Sequence, residues 1–137
     1  MPVKDTPVFT QTQRTATAVC TAAKTTYNDA ANAVLLFTAG VDGAKIKRVW
    51  AMPRGSVTAT QLQLYLERAS APGVLTLVDS ALMAAYSLSG TTEVPATDLK
   101  RATASAPLGL AAGDKLHAAI SISIAAGIVF VADPEDF

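Results

Sequence analysis

The stretch "DKLHAAISISIAAGIVFVA", Asp114 to Ala132, decides how the rest of the chain is read. With His117 neutral, it carries no formal charge from Leu116 until Asp133. As a membrane helix the uncharged run is short, since a spanning helix needs about 20 residues. Its residues also alternate. Leu116, Ala118, Ile120, Ile122 and Ile124 fall on one parity, and His117, Ala119, Ser121, Ser123 and Ala125 on the other. A period of two marks a half-buried strand. Ala125-Ala126-Gly127 then breaks the run with turn-forming residues, and Ile128 to Val131 resumes it with β-branched and aromatic side chains. The stretch therefore reads as a β-hairpin at the centre of a sandwich. Its isoleucines face inward, and His117, Ser121 and Ser123 form a small, uncharged outer row.

The same alternation recurs along the chain. "TATQLQLYLER" sets Leu62, Leu64 and Leu66 against Gln61, Gln63, Tyr65 and Glu67. "AVLLFTAG", closed by Gly40, reads as a strand buried on both sides. Asp42-Gly43 signals a turn, and "AKIKRVWAM" follows with Ile46, Arg48 and Trp50 on one parity. That parity places Trp50 in the core, with an interface anchor as the other reading. Pro72-Gly73 opens a further strand at Val74 to Val78. "DSALMAAYSL" is the one segment whose alanines and Met83 favour helix. Ser87 to Ala106 reads as a long connection with one short edge strand between Glu93 and Leu99. The expected fold is all-β: a single antiparallel β-sandwich, jelly-roll-like, over residues 15–137. Residues 1–14 are expected to form an extended N-terminal arm, with a first strand between Thr15 and Thr21.

Composition narrows the function. The chain has 137 residues, half of them hydrophobic and 16% charged, so it can bury a core without disulfides or metal. Lys plus Arg equals Asp plus Glu, giving zero formal net charge. Nucleic-acid binders carry a basic excess to replace counterions, so direct nucleic-acid binding is not expected. A neutral chain lacks charge repulsion between copies and associates readily. The basic cluster Lys45, Lys47 and Arg48 reads as a solvated strand face, or as a surface for an acidic partner. Cys20 is the single cysteine and reads as a small buried side chain. The first residues lack an apolar signal region, so the chain is expected to be made and kept in the cytoplasm unless an assembly carries it out.

Constellations that carry enzyme chemistry are missing. No G-x-S-x-G elbow, phosphate loop or dinucleotide fingerprint is present. His117 is the only histidine, which leaves a metal or catalytic role without partners. Asp133, Glu135 and Asp136 offer calcium-type oxygen ligands, but Pro134 interrupts them and no glycine-bearing loop frames them. They read as a solvated acidic end, with Phe137 free to dock on an apolar surface. The expected protein is not an enzyme and needs no cofactor.

"NAVLLFTAGVDGAKIKRVWAMPR", "VTATQLQLYLER", "PLGLAAGDKLHAAI" and "GIVFVADPEDF" together resemble a family of small virion structural proteins of tailed bacteriophages and prophages. The resemblance spans roughly Thr15 to Phe137 and rests on a pattern of strands and turns, with no active-site motif. It implies a particle component, foremost a head decoration (cement) protein that binds the major capsid protein on the outer head, as a homo-oligomer and foremost a trimer. A tail, neck or fibre-base subunit is the alternative within the particle. A small-ligand-binding β-sandwich is the alternative outside it. The candidate subunit or capsid contacts are Val8 and Phe9 in the arm, His117, Ser121 and Ser123 in the outer row, and Phe137 at the C-terminus. No membrane contact is expected.

Overall fold

The computed structural model describes residues 10–137. Within them every regular element is a β-strand, and the segment whose alanines favoured helix is strand over Asp79–Met83, with Tyr86 beyond it bridged to Val57. The strands are β1 (Thr12–Gln13), β2 (Ala16–Cys20), β3 (Val34–Thr38), β4 (Ala44–Pro53), β5 (Thr60–Glu67), β6 (Leu75–Met83), β7 (Thr97–Leu99), β8 (Leu108–Leu110), β9 (Lys115–Ile120) and β10 (Ile128–Asp136). They form two antiparallel sheets packed face to face. In sheet A, β10 pairs with β1 and β2 on one side and with β4 on the other, and β4 in turn pairs with β7 and β8. Sheet B runs β3–β9–β5–β6. Apart from the β5–β6 hairpin and the split edges of sheet A, each connection crosses from one sheet to the other.

The opening stretch corrects the hairpin reading. Its two halves are both strands, but β9 lies in sheet B between β3 and β5, and β10 lies in sheet A between β2 and β4. Residues 121–127 form an arch between the layers. The Ser121 amide donates to the Gln61 carbonyl at 3.0 Å, and the Ile124 amide to the Thr21 carbonyl at 2.9 Å. The Gly127 amide then closes back on the Ile124 carbonyl at 3.0 Å, with φ at +84°. A side chain there would be strained, and its Cβ would sit 2.7 Å from Val19 Cγ1. Because β9 stops at Ile120, the isoleucine row is interrupted at Ile122 and returns to the core at Ile124. Ile120 is buried, but Ile122 is 40% exposed.

The arch matters because it lets consecutive strands face one core from opposite sides. Leu116, Ala118 and Ile120 enter from β9, and Ile128, Phe130 and Ala132 from β10. Ile46, Val49 and Ala51 of β4 and Leu62, Leu64 and Leu66 of β5 complete the inner layer. Full burial of each larger aliphatic or aromatic side chain contributes about 1.5–3 kcal/mol.

Bulges account for two further departures from simple alternation, and a covering loop for a third. Ala132 pairs with Val49 but Pro134 pairs with Ile46, so β4 carries one extra residue there. Ile46 and Val49 therefore both point inward, and Trp50 turns to the outer face, half-buried, rather than into the core. In β3, Leu35 pairs with His117 and Phe37 with Leu116. Leu36 and Phe37 are consequently both buried, while Leu35 is 49% exposed. The run "VLLFT" is thus an edge strand, not a strand covered on both sides. On β5, Gln63 and Tyr65 are buried although they face away from the core, for the reason given next.

Candidate interaction surface

The outer face of sheet B is roofed by residues 22–33. Lys24 holds this roof down. Its side chain is fully buried, and its ammonium donates to the Asp29 carboxylate at 2.7 Å, the Asp29 carbonyl at 2.7 Å and the Ala31 carbonyl at 3.0 Å. Three donors thus meet three acceptors, which is how a buried ammonium is tolerated. The same ammonium lies 5.2 Å from the centre of the Tyr65 ring. The Tyr65 hydroxyl donates to Gln63 Oε1 at 2.6 Å, and Gln63 Nε2 donates to the Lys24 carbonyl at 3.2 Å. Burial pushes the Tyr65 phenol up to about 12. The Lys24 ammonium, with help from Thr26, holds the Asp29 carboxyl below its ordinary value.

The outer row predicted for subunit contact is taken up within the chain. His117 Nε2 lies 2.7 Å from Glu67 Oε1, with both side chains mostly buried. The Gly73 amide and His117 together keep the Glu67 carboxyl below its usual range. Ser121 Oγ accepts from the Gln61 amide at 2.8 Å, and Ser123 Oγ accepts from the Ala23 amide at 3.0 Å. Both serines lie in the arch, so they do not share a strand face with His117. Ala119, the intervening residue, is buried beneath the roof beside Tyr65 and Leu75. The Phe137 amide donates to the Gly43 carbonyl at 3.2 Å, tying the C-terminus to the β3–β4 turn. Val8 and Phe9 lie outside the described residues. The arm's described end lies along β10, with the Gln11 amide on the Asp136 carbonyl at 2.8 Å.

The carboxylates of the C-terminal strand meet cations of the chain itself. Glu135 receives Lys47 at 2.6 Å and Lys45 at 3.4 Å, and Asp136 receives Arg14 Nε at 2.7 Å. Lys47 is the main cause of the lowered Glu135 carboxyl. Among the described residues no group of three or more His, Cys, Asp or Glu side chains is placed to hold a metal ion. Asp114 bonds the Ala69 and Ala111 amides at 3.0 Å each, so it fixes two loops and is not the partner of His117. Cys20 is fully buried, and burial pushes its thiol up to about 12.

What remains exposed falls into two kinds. On sheet A, Arg48 stacks over Trp50 at 4.3 Å and pairs with Asp98 at 2.9 Å. Beside them an open groove of about 520 Å³ is lined by Lys47, Arg48, Asp98, Lys100, Thr103 and Asp133. It carries charges of both signs. On sheet B exposed leucines stand out: Leu35 on β3, Leu77 and Leu82 on β6, beside the exposed Thr38 and Thr76 and with Val74 and Leu88 close by in sequence. These leucines escape alternation counting because a leucine in a strand normally reads as core. The signal that does mark them is the scarcity of charge. From Ser70 to Thr92 the only charged residue is Asp79, and it is buried against Arg101. No helix among the described residues is long and apolar enough to cross a membrane. No protein-family model, curated protein or solved structure matches this chain.

Proposed function

We propose that the chain is a virion structural protein of a tailed phage or prophage, and specifically a decoration protein that binds the outer head shell. The observation that carries the reading is the division of its polar groups. The cleanest ionic and hydrogen-bonding partners, Lys24, His117, Glu67, Glu135 and Asp136, are spent inside the chain. The mixed-charge groove lies on sheet A, while one outward side of the sandwich, along β3 and β6 of sheet B, exposes Leu35, Leu77 and Leu82 and few charges. That is the surface of a protein that docks, not of one that turns over a substrate. The strand order supports a jelly roll. β2–β10–β4 with β7 and β8 face β3–β9–β5–β6, the first long strand pairs with the last, and the connections alternate between layers. This architecture recurs in capsid-associated domains, and the sequence resemblance from Thr15 to Phe137 points the same way. The proposed partner is the major capsid protein, and the proposed assembly is a trimer acting without cofactor or nucleic-acid contact. The chain would be made in the host cytoplasm and carried in the particle.

The test is add-back. Heads purified from particles lacking the chain are mixed with purified protein, and bound protein is measured against shell subunits. Saturable binding at a fixed ratio, with heads more resistant to heat, is the expected result. Binding to tails alone would instead select the tail or neck reading. The groove beside Arg48 keeps a small-ligand reading open, since its volume lies in the range of ligand sites. That reading expects Lys100→Glu to abolish function with the fold and head binding intact.

A further inference from the structure

The two sheets treat their edges differently. Sheet A ends in short, interrupted strands. β1 and β2 have two and five residues and are separated by Arg14, which is bonded to Asp136. β7 and β8 have three residues each, and Lys100, Arg101 and Pro107 lie between them. Short strands, charge and proline are the devices that stop an edge from pairing with another chain. Sheet B has little of this. β3 contains no charged residue, and β6 is nine residues long with a single charge. That charge, Asp79, is 4% exposed and is neutralised within the chain by the Arg101 guanidinium at 2.9 Å and amide at 3.0 Å. Arg14 donates to the Thr38 carbonyl at 3.2 Å and so closes only the last residue of β3. Among the described residues each of these strands pairs on one side alone.

Directions make the two edges complementary. Neighbours in sheet B are all antiparallel, so across β3–β9–β5–β6 the first and last strands run in opposite directions. A second copy in the same orientation therefore presents its β3 antiparallel to β6 of the first. Leu35 is 49% exposed, and Leu77 and Leu82 are 36% and 70% exposed. Arg14 beside the end of β3 and Arg101 on Asp79 of β6 are partly exposed, but the outer-face side chains that would meet, Leu35 against Leu77, Ser80 and Leu82, carry no charge.

We propose that copies of this chain join head to tail through sheet B, with β6 of one adding to β3 of the next. Such head-to-tail contacts form a ring where the rotation per copy closes and an open chain where it does not. The main-chain ladder gives affinity, and the facing leucines exclude water from it. This inference deepens the proposed homo-oligomer by naming its contact, and its test on the purified chain is independent of head binding.

Sedimentation equilibrium of the full chain and cysteine trapping test it together. Leu35→Cys, Leu77→Cys and Leu82→Cys are made separately, with buried Cys20 left in place. The expected mass is a whole multiple of the monomer. The expected cross-link forms when Leu35→Cys is mixed with a β6 variant and not within any variant alone. Leu82→Lys, at an exposed position, is expected to reduce the mass to that of a monomer with its circular dichroism unchanged. A monomeric wild-type chain at all concentrations would overturn the proposal. So would cross-linking within Leu82→Cys alone, which indicates a two-fold β6–β6 contact, or an oligomer indifferent to Leu82→Lys.

Discussion

Lys24 fastens the roof over sheet B with one buried ammonium and three acceptors. Replacing it with Met keeps the bulk and removes the donors, leaving two carbonyls and a carboxylate without their partner. Lys24→Met is expected to lower the urea midpoint of unfolding, because the roof loses the donor that gathers the Asp29 and Ala31 carbonyls and the Asp29 carboxylate. Tyr65 fluorescence and hydroxyl ionisation should then approach those of an exposed tyrosine. Acid acts on a different set of residues. Glu67, Glu135 and Asp29 all have carboxyls held below their ordinary values by partners of the folded chain. A depressed carboxyl stabilises fully above the unfolded-chain value, about 4.3 for Glu. The contribution is lost as pH falls through the lower folded value. Melting temperature is therefore expected to be level between neutral pH and about 5 and to fall below about 4.3. Glu135→Gln should flatten the fall, and an unchanged profile in that variant would remove Lys47 and Lys45 from the explanation. Cys20 supplies a third readout. A thiol that is buried and protonated should resist alkylation in the native state and react at once in denaturant.

At the scale of elements, the arch between β9 and β10 is the decisive feature. Gly127→Ala must adopt a positive φ and push against Val19, so a loss of about 2 kcal/mol or more is expected. Gly73→Ala also has a positive φ but meets nothing within 4 Å, and should cost less. An equal loss at both positions would mean that the close approach to Val19 plays no part. Period-two patterning located β9, β10, β5 and β4, since alternation is a local property of a strand. It could not say that β9 and β10 part company. Two adjacent strands with a glycine turn satisfy a hairpin and an arch equally well, and the choice is made by β3, β5, β2 and β4, which are distant in sequence. Trp50 and Leu35 were misplaced for a related reason. Trp50 follows a bulge in β4 and Leu35 immediately precedes one in β3, and an extra residue reverses which way the side chains on its two sides face. The expected contact row is a different case, because His117 lies on β9 while Ser121 and Ser123 lie in the arch. Ser121, Ser123 and His117 are small or polar enough to face solvent, yet the roof and the arch consume their hydrogen-bonding groups. No local pattern announces a loop that folds back over a sheet.

For the whole molecule, the ion pairs of the roof and of the C-terminal strand close within the chain, while Leu35, Leu77 and Leu82 of sheet B stay exposed. A neutral, rigid body with one protected and one open sheet is suited to standing in an ordered array. The account therefore turns on where the chain sits in a particle. Electron cryo-microscopy of intact particles made with and without it is the most direct measurement. The account predicts sandwich-shaped density at regular sites on the outer head shell, present only when the chain is present. Shell density that is the same in both preparations, or difference density confined to the tail, would contradict it.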